Sequence, residues 1–432
     1  MDEFLTVVIR QSTTVWFNTS NFPKTEVGSG KSGAPVQTLE NLEMKKTLVA
    51  IAALAAFGAQ AQSTVTISGL MDAGYASYNI RGNKVKDTAA NGSGTTAVIF
   101  SGTEDMGGGN KALFQYEIDP NITQTSSKTA GTSATGTTSN VTTSLGNGQS
   151  FVGLSTNIGT VKFGAPNLAT LSANGDGNSG FGTAIGSGYR VSSFDAVRLQ
   201  GATRLDTVDY SGFSASYYFV PKNDKQSGGS STGNAQNQIN GRDGASEIGL
   251  AYTNGPLTAR YASLKVTQDA GYYNNSTTVV TRPTGAEFKV DTVSIKYAIA
   301  PTLTAGYFNQ SVKSDATLMT GSTTAAAYAT TFDRKTNGFS AAYAVTPVVT
   351  LMANYAVTKN GAAVGTAAGV ANKTTKVTGL GADYAFSKRT AAYVRFEKND
   401  DQADIRTTTG YTDVTGAAAK YNATAVGIRH TF

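Results

Sequence analysis

A two-residue rhythm that persists to the last residue limits what this chain can become. In Ala423–Phe432, Val426, Ile428, His430 and Phe432 fall on one side, and Ala425, Gly427, Arg429 and Thr431 on the other. Successive strand side chains point to opposite faces, so this stretch is a ribbon with one apolar face and one small or polar face. A final Phe gains nothing at a frayed terminus, so it is expected to sit against something apolar. The edge of a soluble sandwich could end this way. A whole chain with the same rhythm points instead to a barrel whose outside is lipid. On that reading the last strand closes the barrel against the first strand near Val65. Its apolar face then meets lipid or a neighbouring subunit, and Arg429 points into water.

The rhythm does recur. Strands are predicted at about Thr64–Asn79, Thr96–Gly102, Asn110–Asp119, Phe151–Thr156, Thr160–Gly164, Gly201–Tyr210 and Phe213–Val220. Later pairs meet at the tight turns Thr253–Pro256, Ala300–Pro301, Thr346–Pro347 and Ser387–Lys388, in the first three of which glycine or proline sets the local backbone. Long polar loops fall through Asn91–Gly92 and at roughly 221–245, 268–285, 313–331, 360–373 and 400–418, and Ala165 to about Gln200 is strand-free. The pattern gives sixteen strands, seven tight turns and eight long loops, and fourteen or eighteen strands fit it too. An even count with alternating short and long connections matches a bacterial outer-membrane barrel, with its short turns on the periplasmic side. Such a barrel must close, because an open edge in hydrocarbon leaves backbone groups unpaired. The expected fold is therefore all-β, a 16-stranded antiparallel transmembrane β-barrel. Tyr210, Tyr252, Tyr297, Tyr343 and Tyr384 at strand ends would form its interfacial girdle,. No helical-period segment is long enough to matter.

Composition closes off other classes. A chain of 432 residues would ordinarily suggest two or three soluble domains,. Charged residues are only 15%, however, and 48 Gly and 20 Tyr fit short strands and turns,. The absence of cysteine removes thiol catalysis, cysteine-based zinc sites and disulfides,. A net charge of +6 at this length does not suggest a nucleic-acid binder,. Met44-Lys45-Lys46, the apolar run Thr47–Gly58 and Ala59-Gln60-Ala61 stand in the order of a secretory signal,. The expected plan is a disordered upstream extension outside the native protein (1–43), a signal peptide (44–61) and the barrel (62–432).

Several stretches resemble the neisserial-type diffusion porins of Gram-negative outer membranes, a family also common in beta-proteobacteria. Gly102–Glu117 (GTEDMGGGNKALFQYE) resembles the family's GxEDLGGGLKAxFQxE hairpin, and Phe151–Leu154 with Gly159–Gly164 resembles the next hairpin. Tyr384–Thr390 (YAFSKRT) resembles the YxLSKRT turn, and Val426–Phe432 (VGIRHTF) the VGIRHxF ending. The resemblance implies a trimeric sixteen-stranded barrel, a third loop folded into the lumen, and passive diffusion of small hydrophilic solutes and ions. It also implies that Phe432 belongs to the signal read by the barrel-assembly machinery, and that outer-membrane lipid and lipopolysaccharide surround the wall. Two departures fall around the constriction loop: Ala165-Pro166 replaces the usual Arg-Gln, and the NSxxYxSPxFxGF segment is reduced to Asp206–Phe213.

The pore constriction is then expected to oppose acidic residues of the third loop, Asp176 and Asp195, to cations on the facing wall. By alternation Lys111, Lys162, Lys296, Arg395 and Arg429 point inward, with Arg204 and Arg260 as further candidates. Acid facing base across a narrow aqueous gap sets a transverse field that biases ion passage. No catalytic, cofactor or metal site is expected. His430 is the sole histidine, too little for triad chemistry or a two-His metal centre,. Asn399-Asp400-Asp401 reads as solvated loop charge, and Gly186-Ser187-Gly188 lacks a strand-to-helix nucleotide context,. An outer-membrane barrel enzyme therefore has little support. A substrate-selective channel with lumenal aromatics also has little, because Phe114, Tyr116, Phe163, Tyr297 and Phe396 fall on the outward parity. Net charge does not discriminate anion from cation preference.

Overall fold

The structure, a computed structural model, describes residues 64–80, 83–90, 92–120, 122, 148–182, 184–188, 198–221, 244–267, 272–273, 279–280, 287–314, 332–363, 374–401 and 420–432. Asp195 and the segments 1–43 and 44–61 lie outside the described residues.

The barrel opens with β1 (Thr64–Ile80), β2 (Asn83–Ala90), β3 (Ala97–Gly107) and β4 (Asn110–Ile118). Four short strands follow: β5 (Ser150–Thr156), β6 (Gly159–Ala165), β7 (Ala202–Thr207) and β8 (Phe213–Val220). Between β6 and β7 lies a helix, α1 (Ala169–Gly177). β9 (Gly244–Asn254) and β10 (Leu257–Thr267) come next, then a separate two-residue pair, β11 (Tyr272–Tyr273) and β12 (Val279–Val280). The wall is completed by β13 (Glu287–Ala300), β14 (Leu303–Ser314), β15 (Phe332–Ala344), β16 (Val349–Ala363), β17 (Thr374–Ala385), β18 (Thr390–Asp401) and β19 (Tyr421–Thr431).

All wall pairings are antiparallel, and β19 returns to β1. β2 and β3 make a single stave, with β3 beside the first half of β1 (Thr64–Leu70) and β2 beside the second (Ala73–Ile80). Counted so, the sheet is a closed barrel of sixteen staves, which agrees with the expected fold class. The closing register differs from the expectation. β19 pairs with Leu70–Ile80, and Phe432 sits opposite Gly69 rather than near Val65. Val65 belongs to the seam with β3, because β1 is long enough to be offset between its two neighbours.

Two stretches expected as loop carry strands, Asn83–Ala90 and the β11/β12 pair. The first extends β1 into a hairpin without a strongly apolar face, so periodicity did not reveal it. The expectation of no significant helix is also corrected by α1. Its sequence, ATLSANGDG, has no amphipathic stripe, and its stability comes from what the barrel wall supplies to it.

Alternation decides which side chains meet lipid. On β19 the outward set Val426, Ile428, His430 and Phe432 is exposed, while Tyr421, Ala423 and Ala425 are buried inside. The expected outward aromatics Phe114, Tyr116, Phe163, Tyr297 and Phe396 are all exposed. Tyr210, Tyr252, Tyr297, Tyr343 and Tyr384 stand at or beside the short-turn ends, with Phe213 stacked on Tyr252 (centroids 4.3 Å apart) and Phe386 edge-on to Tyr384 (5.2 Å).

The barrel closes on Phe432 through two backbone bonds: the Gly69 amide donates to the Phe432 carbonyl (3.1 Å) and the Phe432 amide to the Gly69 carbonyl (3.2 Å). The Phe432 ring lies over Gly69, where an added Cβ would approach it to 2.6 Å. Removing Phe432 deletes both bonds, each contributing about 1 kcal/mol net. The folded-to-unfolded ratio at the midpoint of a heat-modifiability titration should fall by about tenfold or more, seen as a lower unfolding temperature, and Gly69→Val should do likewise. Channels that still form should keep wild-type conductance.

Candidate functional site

The loop between β6 and β7 folds into the barrel, and the wall anchors it point by point. Its roots are Leu168 and Leu199, buried with Ala202, Tyr218, Leu264 and Val290. The N-terminus of α1 has no cap of its own, since Leu168 cannot accept a hydrogen bond from the free amides,. Glu247 of β9 substitutes. Its carboxylate accepts from the Ala169 amide (2.5 Å), the Thr170 amide (3.0 Å) and the Thr170 hydroxyl (2.6 Å). A carboxylate at the positive end of the helix is also favoured by the helix dipole.

Further along, Ser340 of β15 donates to the Gly177 carbonyl (2.9 Å) and accepts from the Ser179 amide (2.7 Å). Asn354 of β16 donates to Asn178 (2.9 Å). A second buried carboxylate, Glu397 of β18, accepts from the Gly186 amide (2.7 Å) and from the Tyr421 hydroxyl (2.5 Å). The loop returns at Arg198 and Leu199. There Tyr218 both accepts from the Leu199 amide (2.9 Å) and donates to its carbonyl (2.6 Å). Between its roots the loop thus lies along β9–β18 and, through Ile185, against β19 and Ala76 of β1, and the wall from β3 to β7 is left facing it.

Charged groups gather in three sets, each with one carboxylate between two cations. Asp206 takes Lys162 (3.0 Å) and Arg204 (2.8 Å). Asp176 on α1 takes Arg260 (2.5 Å) and Lys296. Asp383 takes Arg395 (2.6 Å) and Arg429 (2.8 Å). Each wall member stands within five residues of the short-turn end of its strand, so the sets share one level, and each is left with one net positive charge. Burial alone would raise the Asp176 carboxyl, but the hydrogen bonds and charges of Lys296 and Arg260 outweigh it and hold it below the ordinary range.

The structure therefore brings Asp176 into direct contact with Lys296 and Arg260, and brings Lys162 together with Arg204. Arg395 lies beneath the loop, fully buried, with its guanidinium 5.8 Å from the Phe181 ring and 5.3 Å from the Tyr393 ring. Lys111 stands exposed beside the turn after β3. Asp195 lies outside the described residues. His430 faces outward, its Nδ1 2.9 Å from the Thr390 hydroxyl.

The anchors Glu247 and Glu397 were missed by sequence reasoning, as were Asp206 and Asp383. Their signal was present: each is a carboxylate on the inward parity of a strand whose outward neighbours, such as Ile248 and Leu250, are apolar. A further inward acid, Asp72, accepts from Ser93 (2.6 Å), Gly94 (2.8 Å) and the Tyr393 hydroxyl (2.6 Å). Tyr393 reaches it across β19 because Gly427 leaves room; a Cβ there would come within 2.3 Å of the hydroxyl.

The family model for Gram-negative porins matches residues 47–404. The chain belongs to the Gram-negative porin family. It is 30% identical over 285 residues to an outer membrane porin protein of Bordetella pertussis, covering 60% of this chain and 70% of that protein. It is 30% identical over 230 residues to major outer membrane protein P.IB of Neisseria lactamica. That match covers 51% of this porin and spans 59% of the relative. A solved structure described as an anion-selective porin from Comamonas acidovorans shares the fold with a TM-score of 0.59 at 20% identity, covering 86% of this chain and 100% of that one. Family and fold together make this porin a multi-pass β-barrel of the Gram-negative outer membrane.

Asp119, just beyond β4, joins the loop's return through Arg198 (3.4 Å), which also donates to Asn167 (2.9 Å). Burial, with Glu117 beside it and against Arg198, pushes its carboxyl up to about 6. As pH falls through about 6, Asp119 takes up a proton and the lumen becomes more positive. The reversal potential in a salt gradient should then move toward anions, and Asp119→Asn should abolish the inflection. An inflection that persists in the variant contradicts this assignment.

Proposed function

We propose that this porin is a passive diffusion channel for small hydrophilic solutes and ions, and that it favours anions. The observation that carries the reading is the ring of three carboxylate-centred sets, each with two cations and one acid. In a narrow water-filled passage with low-dielectric walls, that surplus raises the local anion concentration. The constriction lies between the lumenal loop and the wall from β3 to β7. Asp176, Lys296 and Arg395 shape its loop side, Lys111, Lys162 and Arg204 line its wall side, and Asp195 belongs to the loop's return. The anion-selective description of the Comamonas acidovorans relative agrees with this reading.

The working unit is a homotrimer. β5 to β8 have only six to eight residues, fewer than the roughly 9–11 a tilted strand needs to cross the hydrocarbon. Neighbouring subunits shield that side, while β9–β19 are long enough to face lipid and lipopolysaccharide. Phe432 is the mark read by the barrel-assembly machinery.

The test is ion selectivity in planar bilayers. Wild type should open in three ohmic steps with an anion-side reversal potential. Lys162→Glu with Arg204→Glu should move that potential toward cations by tens of millivolts, on the order of a severalfold change in permeability ratio. An unchanged reversal potential would remove both residues from the filter.

A further inference from the structure

A second stretch of chain folds into the barrel beside the lumenal loop. It is Gly92–Thr96, in the connection between β2 and β3. The stave those strands share is broken there. β3 pairs with β1 up to Leu70 and β2 pairs with it from Ala73 on, so Met71 and Asp72 pair with neither. Thr96 fills the break: its hydroxyl accepts from the Asp72 amide (3.0 Å) and donates to the Asp72 carbonyl (3.1 Å).

Asp72 shares the inward parity of β1 with the buried Ala76, opposite to the exposed Tyr75. Its carboxylate is fully buried and holds three donors. One oxygen accepts from the Ser93 amide (2.6 Å) and the Gly94 amide (2.8 Å), and the other from the Tyr393 hydroxyl (2.6 Å). Because the acceptor points into the lumen, the segment that donates to it lies on the lumenal side of the wall. There Gly92 leaves space for Tyr393, whose hydroxyl an added Cβ would meet at 2.3 Å. Thr95 is exposed to the lumen while Ser93 and Thr96 are buried.

Tyr393 joins this segment to the lumenal loop, since it belongs to one buried cluster with Ile185 of that loop and Ala76. A buried carboxylate is stable only with its donors in place, and two of the three here are backbone amides of the segment. Arg429, a member of the third charged set, stands directly opposite Asp72 on β19. The segment therefore sits beside the charged level of the constriction.

We propose that Gly92–Thr96 is a second pore-narrowing element, and that Asp72 and Tyr393 are the positioning residues that hold it. It extends the narrowing from the tip of the lumenal loop, along β1, and confines solutes to the β3–β7 side. The proposal rests on reading the lumenal loop as the constriction of a diffusion channel; it does not depend on which ions that channel prefers.

The test uses the full chain, which has no cysteine of its own. Ser93→Cys keeps the amide that donates to Asp72, and the buried Ser93 hydroxyl has no hydrogen-bond partner among the described residues to lose. The refolded Ser93→Cys barrel is placed in planar bilayers and exposed to a water-soluble cationic methanethiosulfonate. While the segment is held, Cys at this position should react slowly. Adding Tyr393→Phe, which removes one oxygen, should speed the reaction about tenfold, as expected when local opening is no longer opposed by one hydrogen bond to a charged group. Adding Asp72→Ala instead should speed it further and raise single-channel conductance above that of Ser93→Cys alone. The attached reagent should then lower the conductance, because the thiol lies in the lumen. Equal reactivity of the three proteins, or a conductance that neither Asp72→Ala nor the reagent moves, would overturn the proposal. A role confined to barrel stability would lower the unfolding temperature and leave both readings where they were, which also overturns it. If Asp72→Ala does not refold, the reactivity of Tyr393→Phe decides alone. Ser93→Cys barrels that insert without ohmic steps would overturn the diffusion-channel reading itself, an outcome distinct from ohmic channels of unaltered reactivity.

Discussion

An unpaired backbone amide or carbonyl in hydrocarbon costs several kcal/mol, and the seam between β1 and β19 removes that cost from what would otherwise be two bare edges. Once that seam is made, every stave has two partners, and the alternating side chains are sorted into a lipid face and a lumenal face. Gly69 and Phe432 finish the seam, one by leaving room and the other by covering it. The lumen inherits whatever points inward, including charges that no lipid-facing position would tolerate.

A closed sixteen-stave barrel is wide enough to admit water, and the loop after β6 lies inside it against the wall. The described part of that loop is rich in Gly, Ser and Asn and holds one short helix, α1. The wall gives it its shape. Glu247 satisfies the open end of α1, Glu397 takes the Gly186 amide at the far side, and Ser340 and Asn354 fix the middle. Both glutamates are buried, so each must be hydrogen-bonded to remain where it is. The loop and its anchors are therefore mutually dependent. The surviving electrostatic surplus sits at one level near the short turns, where Asp206, Asp176 and Asp383 each hold two cations and neutralise one.

Much of this was legible in the sequence, because period-two alternation is a local property. The bounds of β1, β4 and β8 were readable to within a residue or two, and so was the outward parity of Phe114 or Ile428. The motif Gly102–Glu117 and the ending at Phe432 carried the family. What could not be read was set by contacts far apart in the chain. The register of β19 on β1 depends on β1 being shared by three neighbours, so Val65 was the wrong end of the right strand. Helix α1 has no helical stripe, and its cap lies on β9. Asp176 was placed in the third loop opposite cations of a facing wall; its direct contact with Lys296 and Arg260 depends on how the loop lies, which alternation along strands does not encode.

The central claim is that the loop rests on the β9–β18 wall in the conducting state. The chain has no cysteine, so a single engineered pair reports on it cleanly. Ser179→Cys with Ser340→Cys joins the loop to β15 where the Ser179 amide already meets the Ser340 hydroxyl at 2.7 Å. The account predicts that this disulfide forms readily on oxidation of the folded barrel and leaves single-channel conductance as it was in the reduced form. Failure to cross-link, or a conductance that changes when the bond closes, would contradict it.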